Sequence, residues 1–240
     1  MIFHCLFEQS GTFKNVLIKK GHKAFDYDIL NDYRQTDYQL DLFNEIEKEF
    51  DNLIIDTNYQ TIFSKMTPDN DFIIAFFPCT HFCDANELQY RLWIGGRKVA
   101  YDKKSCTRLI ERNKERSKYF EIYLKFCYIC TKKGIRCIIE NPASSGNKNY
   151  LVQFSPIDVA WYEKDRSLFG DKYKKPTNFF AINFDMKENF IMFSQIYGVK
   201  SIYKDAHGCK VRREITNEYA ENFYKRFLEN KIEKEMENET

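Results

Sequence analysis

Asp71-Phe-Ile-Ile-Ala-Phe-Phe-Pro-Cys-Thr-His-Phe-Cys83 is the stretch from which the rest of the chain is read. Its apolar run, Phe72 to Phe77, is bounded by Asp71 and Pro78. That is long enough for one strand buried on both faces, as in the middle of a parallel sheet. Cys79 then falls just past the strand's carboxyl end, where open α/β sheets hold their ligands. A thiol there is either a nucleophile or a small buried residue, and for a cysteine taken alone the second is the commoner case.

The flanking segments extend the pattern. Residues 2–7 form a short apolar strand, and Glu8 to Phe13 a turn. Lys14 to Lys20 start a helix that Gly21 ends, and His22 to Asp28 make a second strand closing on an acid. Strand, turn, helix, strand is the opening of a doubly wound sheet. Asp37 to Ile46 lead into a charged helical tail reaching Phe50, while 51–70 have mixed character. Residues 84–102 read as a polar, aromatic loop or short helices. Within them Leu92-Trp-Ile-Gly-Gly-Arg97 is either a mobile segment near the site or a plain turn. Lys103 to Lys133 is a long helix, highly charged in its first half and apolar in its second, stopped by Gly134. Ile135 to Glu140 is another buried strand ending in an acid, and Asn141 to Gly146 the turn after it.

From residue 151 the composition becomes richer in Phe, Tyr and Trp, with strands such as Asn178–Asn183. Turns are expected at Phe169–Asp171 and Tyr173–Pro176, and a last helix from near Thr216 to about Lys234. The expected fold is α/β: a mostly parallel, doubly wound sheet over 1–150 with a small aromatic-rich C-terminal extension over 151–240, in one continuous domain.

Composition sets bounds. Of 240 residues 43% are hydrophobic, with 22 Phe and 16 Tyr, which supplies a sizeable core and argues against disorder. The net charge of +2 marks no global field for nucleic acid, so any basic surface is local. No run reaches the length of a membrane span, and the first residues lack a signal-peptide pattern. The eight cysteines lie in apolar segments and read as reduced thiols of a cytoplasmic protein. Cys127-Tyr-Ile-Cys130 has the form of a redox or zinc pair but sits in a helical apolar pattern, so core packing is the favoured reading. No metal-ligating constellation stands out. His81 reads as a surface residue or as an orienting partner of Cys79, and His207 as part of a turn.

Parallel strands place their carboxyl ends together, so Cys79 and Glu140, about 60 residues apart, are expected to converge. Taken in order, these segments resemble a DNA (cytosine-5) methyltransferase of the compact kind found in phage and mobile elements. Leu6-Phe-Glu-Gln-Ser-Gly-Thr-Phe13 is similar to that family's cofactor-binding motif, and Asp28 to its ribose-binding acid. Asp41-Leu42 resembles the motif that meets the adenine, Phe77-Pro-Cys79 the Pro-Cys motif, and Glu140-Asn141 the Glu-Asn motif. The resemblance implies a Rossmann-like methyltransferase fold, S-adenosylmethionine as cofactor and cytosine in DNA as substrate. It implies cofactor contacts from Phe7, Glu8, Ser10, Gly11, Thr12, Asp28, Asp41, Leu42 and Pro78. Cys79 would be the nucleophile, Glu140 its partner at ring nitrogen 3, and Pro78 and Asn141 would also border the base.

The chemistry suits these side chains. Thiolate addition at carbon 6 of cytosine makes carbon 5 nucleophilic enough to take a sulfonium methyl group. A helix start after Cys79 would lower its pKa. The base must leave the duplex to reach such a pocket. The chain departs from the family in three respects. Gly11 is the loop's single glycine, Pro142 stands where valine is usual, and Gln-x-Arg-x-Arg is absent, with Val211-Arg212-Arg213-Glu214 the nearest basic segment. Lys172 to Asn178, including Lys174, Lys175 and Asn178, is either a phosphate-contacting turn or a solvated one. Arg212 and Arg213 are further DNA candidates. Asn141-Pro-Ala-Ser144 lacks the second proline and aromatic of amino-methyltransferases, so that route ranks lower. The competing reading is a methyltransferase-like module without catalysis that binds nucleic acid or a protein.

Overall fold

The structure, a computed structural model, describes residues 1–83, 87, 89–94, 97–98, 102–143, 149–189 and 215–232. Seven strands form one sheet in the order β3-β2-β1-β4-β7-β9-β8. They are β1 (Ile2–Leu6), β2 (Lys23–Asp28), β3 (Tyr38–Gln39), β4 (Asp71–Ala75), β7 (Arg136–Pro142), β8 (Val159–Glu163) and β9 (Thr177–Ile182). A separate two-strand ribbon pairs β5 (Trp93–Ile94) with β6 (Arg97–Lys98); the intervening Gly95-Gly96 lie outside the described residues. From β3 to β7 all pairings are parallel, whereas β9 runs antiparallel to both β7 and β8. The β8–β9 link can therefore be short, because an antiparallel return needs no crossover helix. The sheet continues through residue 150, so the aromatic C-terminal part completes the same layer.

Helices cover both faces. On one side lie α2 (Leu42–Ile55), α3 (Lys103–Lys133) and α4 (Tyr150–Phe154), which enclose Ile73, Ala75, Phe77, Cys137 and Ile139. On the other, α1 (Thr12–Lys19) and α5 (Asn217–Phe223) enclose Phe3, Phe72, Ile74, Ile138 and Phe179. Both faces of β4 and β7 are thus buried, which is why their sequences are continuously apolar and do not alternate. Phe223 of α5 meets Phe13 of α1 edge-on, with ring centroids 5.4 Å apart. Beyond α5, one wide π-helical turn spans Tyr224–Leu228.

Several element ends differ from the sequence expectation. α1 starts at Thr12, two residues before Lys14, because the Glu8 carboxylate accepts from the amides of Phe13 (2.8 Å) and Lys14 (3.3 Å) and so caps it. α2 runs on to Ile55, since Asp41 caps its start and Asp56, in the left-handed region, ends it. Part of 51–70 is therefore helix, followed by a 3₁₀ turn at Ile62–Lys65. Asn141 and Pro142 are still strand, paired with Asn178 and Thr177. α3 is capped by Asp102 and ends at Gly134 in the left-handed conformation, φ 69°. Cys127, Cys130 and Cys137 are buried free thiols in the core, as packing residues would be. No described helix is long and apolar enough to cross a membrane.

Glu8 gives the fold a pH dependence. Burial, opposed by the two amide bonds and reinforced by Asp26, raises its carboxyl to about 7. The folded state then holds the proton more tightly than the unfolded chain. The stabilisation is fully present below the unfolded value and is lost as pH rises through about 7. Glu8→Gln mimics the protonated form. Urea unfolding between pH 5 and pH 8 should show a falling stability for the natural chain and a flatter profile for the variant. At pH 8 the variant should be the more stable by up to about 3 kcal/mol. Parallel profiles would mean that Glu8 titrates as an ordinary carboxylate.

Candidate active site

The parallel strands β1, β2, β4 and β7 end at one edge, and Phe7, Glu8, Asp28, Pro78, Cys79 and Glu140 lie at or next to those ends. The chain order turns back between β1 and β4, which are hydrogen-bonded neighbours, and this is the crevice where doubly wound sheets take ligands. Phe7 follows β1 with φ 60°, a strained backbone for an aromatic residue. Its ring lies 5.2 Å from Phe77 and 6.1 Å from Phe43. Ser10 Oγ is 3.0 Å from Thr12 Oγ1, and Thr12 in turn donates to the Ile215 carbonyl at 3.3 Å. Gly11 has φ 65°, so the backbone favours glycine, while a Cβ there would displace only the end of the Gln35 side chain. Beside this loop, Lys14 is buried and pairs with Asp26 (3.0 Å) and Asp37 (3.2 Å). Asp28 closes β2 and accepts from the Leu30 amide at 2.7 Å. Asp41 follows β3 as the exposed cap of α2, and Leu42 is buried beneath it.

Pro78 and Cys79 follow β4. The Cys79 carbonyl accepts from Phe82 N at 3.0 Å and Cys83 N at 3.1 Å, forming a single helical turn. The sequence suggested that a helix start would lower the Cys79 pKa. The structure corrects this: the thiol is pushed well above its ordinary value, first by its hydrogen bond with the Cys83 thiol and then by burial. One turn is too short to oppose these two effects. Lys175 pulls the value down and Glu140 pushes it up, so both groups are close enough for their charges to act on Cys79.

Glu140, on β7, is buried and flanked by two cations. Arg166 Nη1 lies 3.3 Å from its Oε1, and Lys175 Nζ 3.7 Å. Arg166 is wholly buried, ion-paired to Asp171, and stacked 4.5 Å from the Tyr219 ring. Sequence reading missed Arg166, Asp171 and Tyr219. They come from the β8–β9 connection and α5, and no motif or periodicity marks them. Only Gly170, in the left-handed region with φ 98°, signals the tight turn that brings Asp171 back to Arg166.

The basic turn 172–178 divides. Lys174 is exposed and 3.8 Å from Asp165, whereas Lys175 turns inward to Glu140. Asn178 does not lie on that turn's surface. It is fully buried in β9 opposite Asn141, because alternation along the strand directs it into the sheet's interior layer. Asn141 accepts from Asn149 Nδ2 at 2.6 Å, while its own Nδ2 and both polar atoms of Asn178 are buried without hydrogen-bond partners among the described residues. His81 is also corrected: it is buried and does not lie at the surface. Its Nδ1 is 2.7 Å from the Tyr90 hydroxyl, and its ring packs 4.4 Å from Tyr119. Arg212, Arg213, His207 and Cys209 lie outside the described residues.

The strand order, with the reversed β9 inserted between β7 and β8, makes this a Rossmann-like, methyltransferase-like α/β fold. Neither protein-family models nor curated proteins give a match to the chain. Among solved structures it is similar to a mutant DNMT2 from Spodoptera frugiperda, with 14% identity and a TM-score of 0.33. The match covers 82% of this chain and 54% of that one, so the chain spans about half the length of the structure it matches.

Proposed function

We propose that the protein is an S-adenosylmethionine-dependent methyltransferase acting on carbon 5 of cytosine in DNA. What supports this reading is that Cys79 and Glu140 come from the neighbouring parallel strands β4 and β7 at their carboxyl edge, beside the β1–β4 crevice, with Lys175 Nζ 3.7 Å from Glu140.

The loop after β1 favours a methyl donor over a dinucleotide. In dinucleotide sites the pyrophosphate sits on the amides at the helix N-terminus. Here Glu8 already takes the Phe13 and Lys14 amides, so a phosphate would face a buried carboxyl. A sulfonium cofactor, which carries no phosphate, is compatible with that arrangement. Asp28 at the end of β2 would hold its ribose hydroxyls, and Phe7 and Leu42 would border its adenine. When bound, that cofactor supplies the methyl group.

The protein's own groups do the rest. Cys79 adds through sulfur to carbon 6 of the cytosine. Lys175 offsets the negative charge that Cys79 acquires on losing its proton. Glu140 faces the Watson–Crick edge and is held there by Arg166. Once methylated, carbon 5 would give its proton to water in the open crevice; the electron pair of that bond would restore the ring double bond and the pair of the carbon 6–sulfur bond would return to Cys79 as thiolate. Cys83 and burial hold the resting thiol's pKa up, so addition would require its proton to pass to solvent, with the Lys175 charge favouring the thiolate that forms.

Titration calorimetry with S-adenosylmethionine, followed by transfer of a labelled methyl group to cytosine-containing DNA, tests the reading. Binding is expected, weakened at least about tenfold in Asp28→Asn through the loss of a charge-assisted hydrogen bond. Neither binding nor transfer would remove the enzyme reading. Binding of DNA without any binding of cofactor would support the non-catalytic module instead.

A further inference from the structure

We propose that the amino-terminal half of α3 is an arm whose exposed basic face grips the phosphate backbone of duplex DNA next to the site. The proposal rests on the DNA reading above and adds a surface to it.

α3 enters β7 through Gly134, so it runs antiparallel to that strand and its amino end points past the edge that carries Cys79 and Glu140. Arg116 is the first buried residue of the helix; before it Ser105, Cys106, Leu109 and Arg112 are half-buried along one side, and the basic side is exposed. Arg116 is fixed there by Glu87 (2.8 Å), with its guanidinium 3.3 Å from the Tyr90 ring centroid and 4.7 Å from that of Tyr150. Tyr90 also holds His81, two residues past Cys79, and the Tyr150 amide donates to the Phe82 carbonyl. The root of the arm is therefore bolted to the Cys79 segment. Residues 103–115 extend beyond it by about 20 Å of helix.

This projecting segment is basic out of proportion to the chain. Residues 103–118 hold seven Lys or Arg against two Glu, while the whole protein carries only +2. Lys103, Lys104, Arg108, Lys114 and Lys118 are exposed, and no ion pair joins them or Arg112 to an acidic residue among those described. Helix stability does not account for this pattern. The first turn has no acidic residue and carries Lys103 and Lys104 against the positive end of the helix dipole. A solvated helix of this length is marginal, and clustered like charges weaken it further. The composition costs stability and makes physical sense if a polyanion neutralises it. At 100° per residue Lys103, Lys104, Arg108, Arg112, Lys114 and Lys118 fall within one half of the helix circumference, a single basic face of the kind that can lie along a phosphate backbone. An arm so placed would hold duplex beside the pocket into which a base must turn.

Fluorescence anisotropy with a labelled random-sequence duplex tests this, without cofactor and with full-length Cys79→Ser protein so that methyl transfer plays no part. The variant Lys104→Ala/Arg108→Ala/Lys114→Ala/Lys118→Ala keeps good helix formers. It should bind on the order of 10²-fold more weakly, and its slope of log affinity against log salt should fall by about 3 to 4. Lys23→Ala/Lys65→Ala/Lys132→Ala, exposed positions near the amino ends of β2, β4 and β7, should leave both unchanged. If circular dichroism finds the fourfold variant unfolded, Lys104→Gln/Arg108→Gln and Lys114→Gln/Lys118→Gln should each lower the slope by about 2. An unchanged slope in the arm variants would overturn the arm and leave the Cys79 chemistry standing. Absence of duplex binding, or tighter binding to single-stranded DNA, RNA or an acidic polypeptide, would also overturn it. Failure of methyl transfer with the expected salt slopes would overturn the function alone.

Discussion

Cys79→Ser will abolish the covalent adduct with DNA carrying 5-fluorocytosine and lower methyl transfer by on the order of 10⁴-fold or more, as loss of an enzyme's nucleophile does. Fluorine at carbon 5 cannot leave as a proton, so addition through Cys79 traps the protein on the base. Serine cannot substitute. Its hydroxyl needs a general base, and the histidine two residues on, His81, is engaged with Tyr90 and packed on Tyr119. The adduct is read as a band that survives denaturation and as an intact mass. Cys83→Ser is the control. It should keep the adduct and move thiol alkylation of Cys79 to lower pH, because the Cys83 thiol is the first cause of the raised value. An adduct that persists in Cys79→Ser would place the nucleophile elsewhere, and loss of adduct in Cys83→Ser alone would place it at Cys83.

Arg166→Met is expected to be the most damaging single change to the scaffold. Arg166 is completely buried between Glu140 and Asp171, which are themselves almost inaccessible. Removing the cation strands the buried Asp171 carboxylate and leaves Glu140 with Lys175 alone, and breaking such a pair costs about 3–5 kcal/mol. For a chain of this length that corresponds to a fall in Tm of about 6–20 °C. The double variant Arg166→Met/Asp171→Leu removes the stranded charge and should recover much of the stability. It leaves Glu140 without its buried guanidinium, so methyl transfer should stay low in a folded protein. Scanning calorimetry of both variants decides the matter. A Tm within about 2 °C of the natural chain for the single variant would mean that the fold does not depend on Arg166 to neutralise the buried carboxylates.

The sequence carried the framework clearly. The runs Ile2–Phe7, Phe72–Phe77 and Ile135–Glu140 are apolar on both faces because helices cover both, and that pattern survives in one dimension. Gly21 and Gly134 marked helix ends, since only glycine sits there without strain. Other boundaries were hidden. The start of α1 depends on Glu8 reaching forward five residues, and the end of α2 at Ile55 is set by Asp56 adopting a left-handed backbone, which no glycine signals. β8 lies at a sheet edge, is only partly buried, and has no continuous apolar signature.

The site divides in the same way. Sequence alone placed Cys79, Asp28 and Glu140 at strand ends, and parallel strands must put those ends on one edge. It could not place Arg166, Asp171 and Tyr219 around Glu140, turn Lys175 inward beside Lys174, bury Asn178, or set Cys83 against Cys79. Those positions follow from the antiparallel return of β9, the packing of α5 and a single turn after β4. Local patterning records which residues lie at the end of a buried strand. Which charge meets which across 20 or more residues is settled only when the chain closes, because burial and electrostatics there belong to the assembled core.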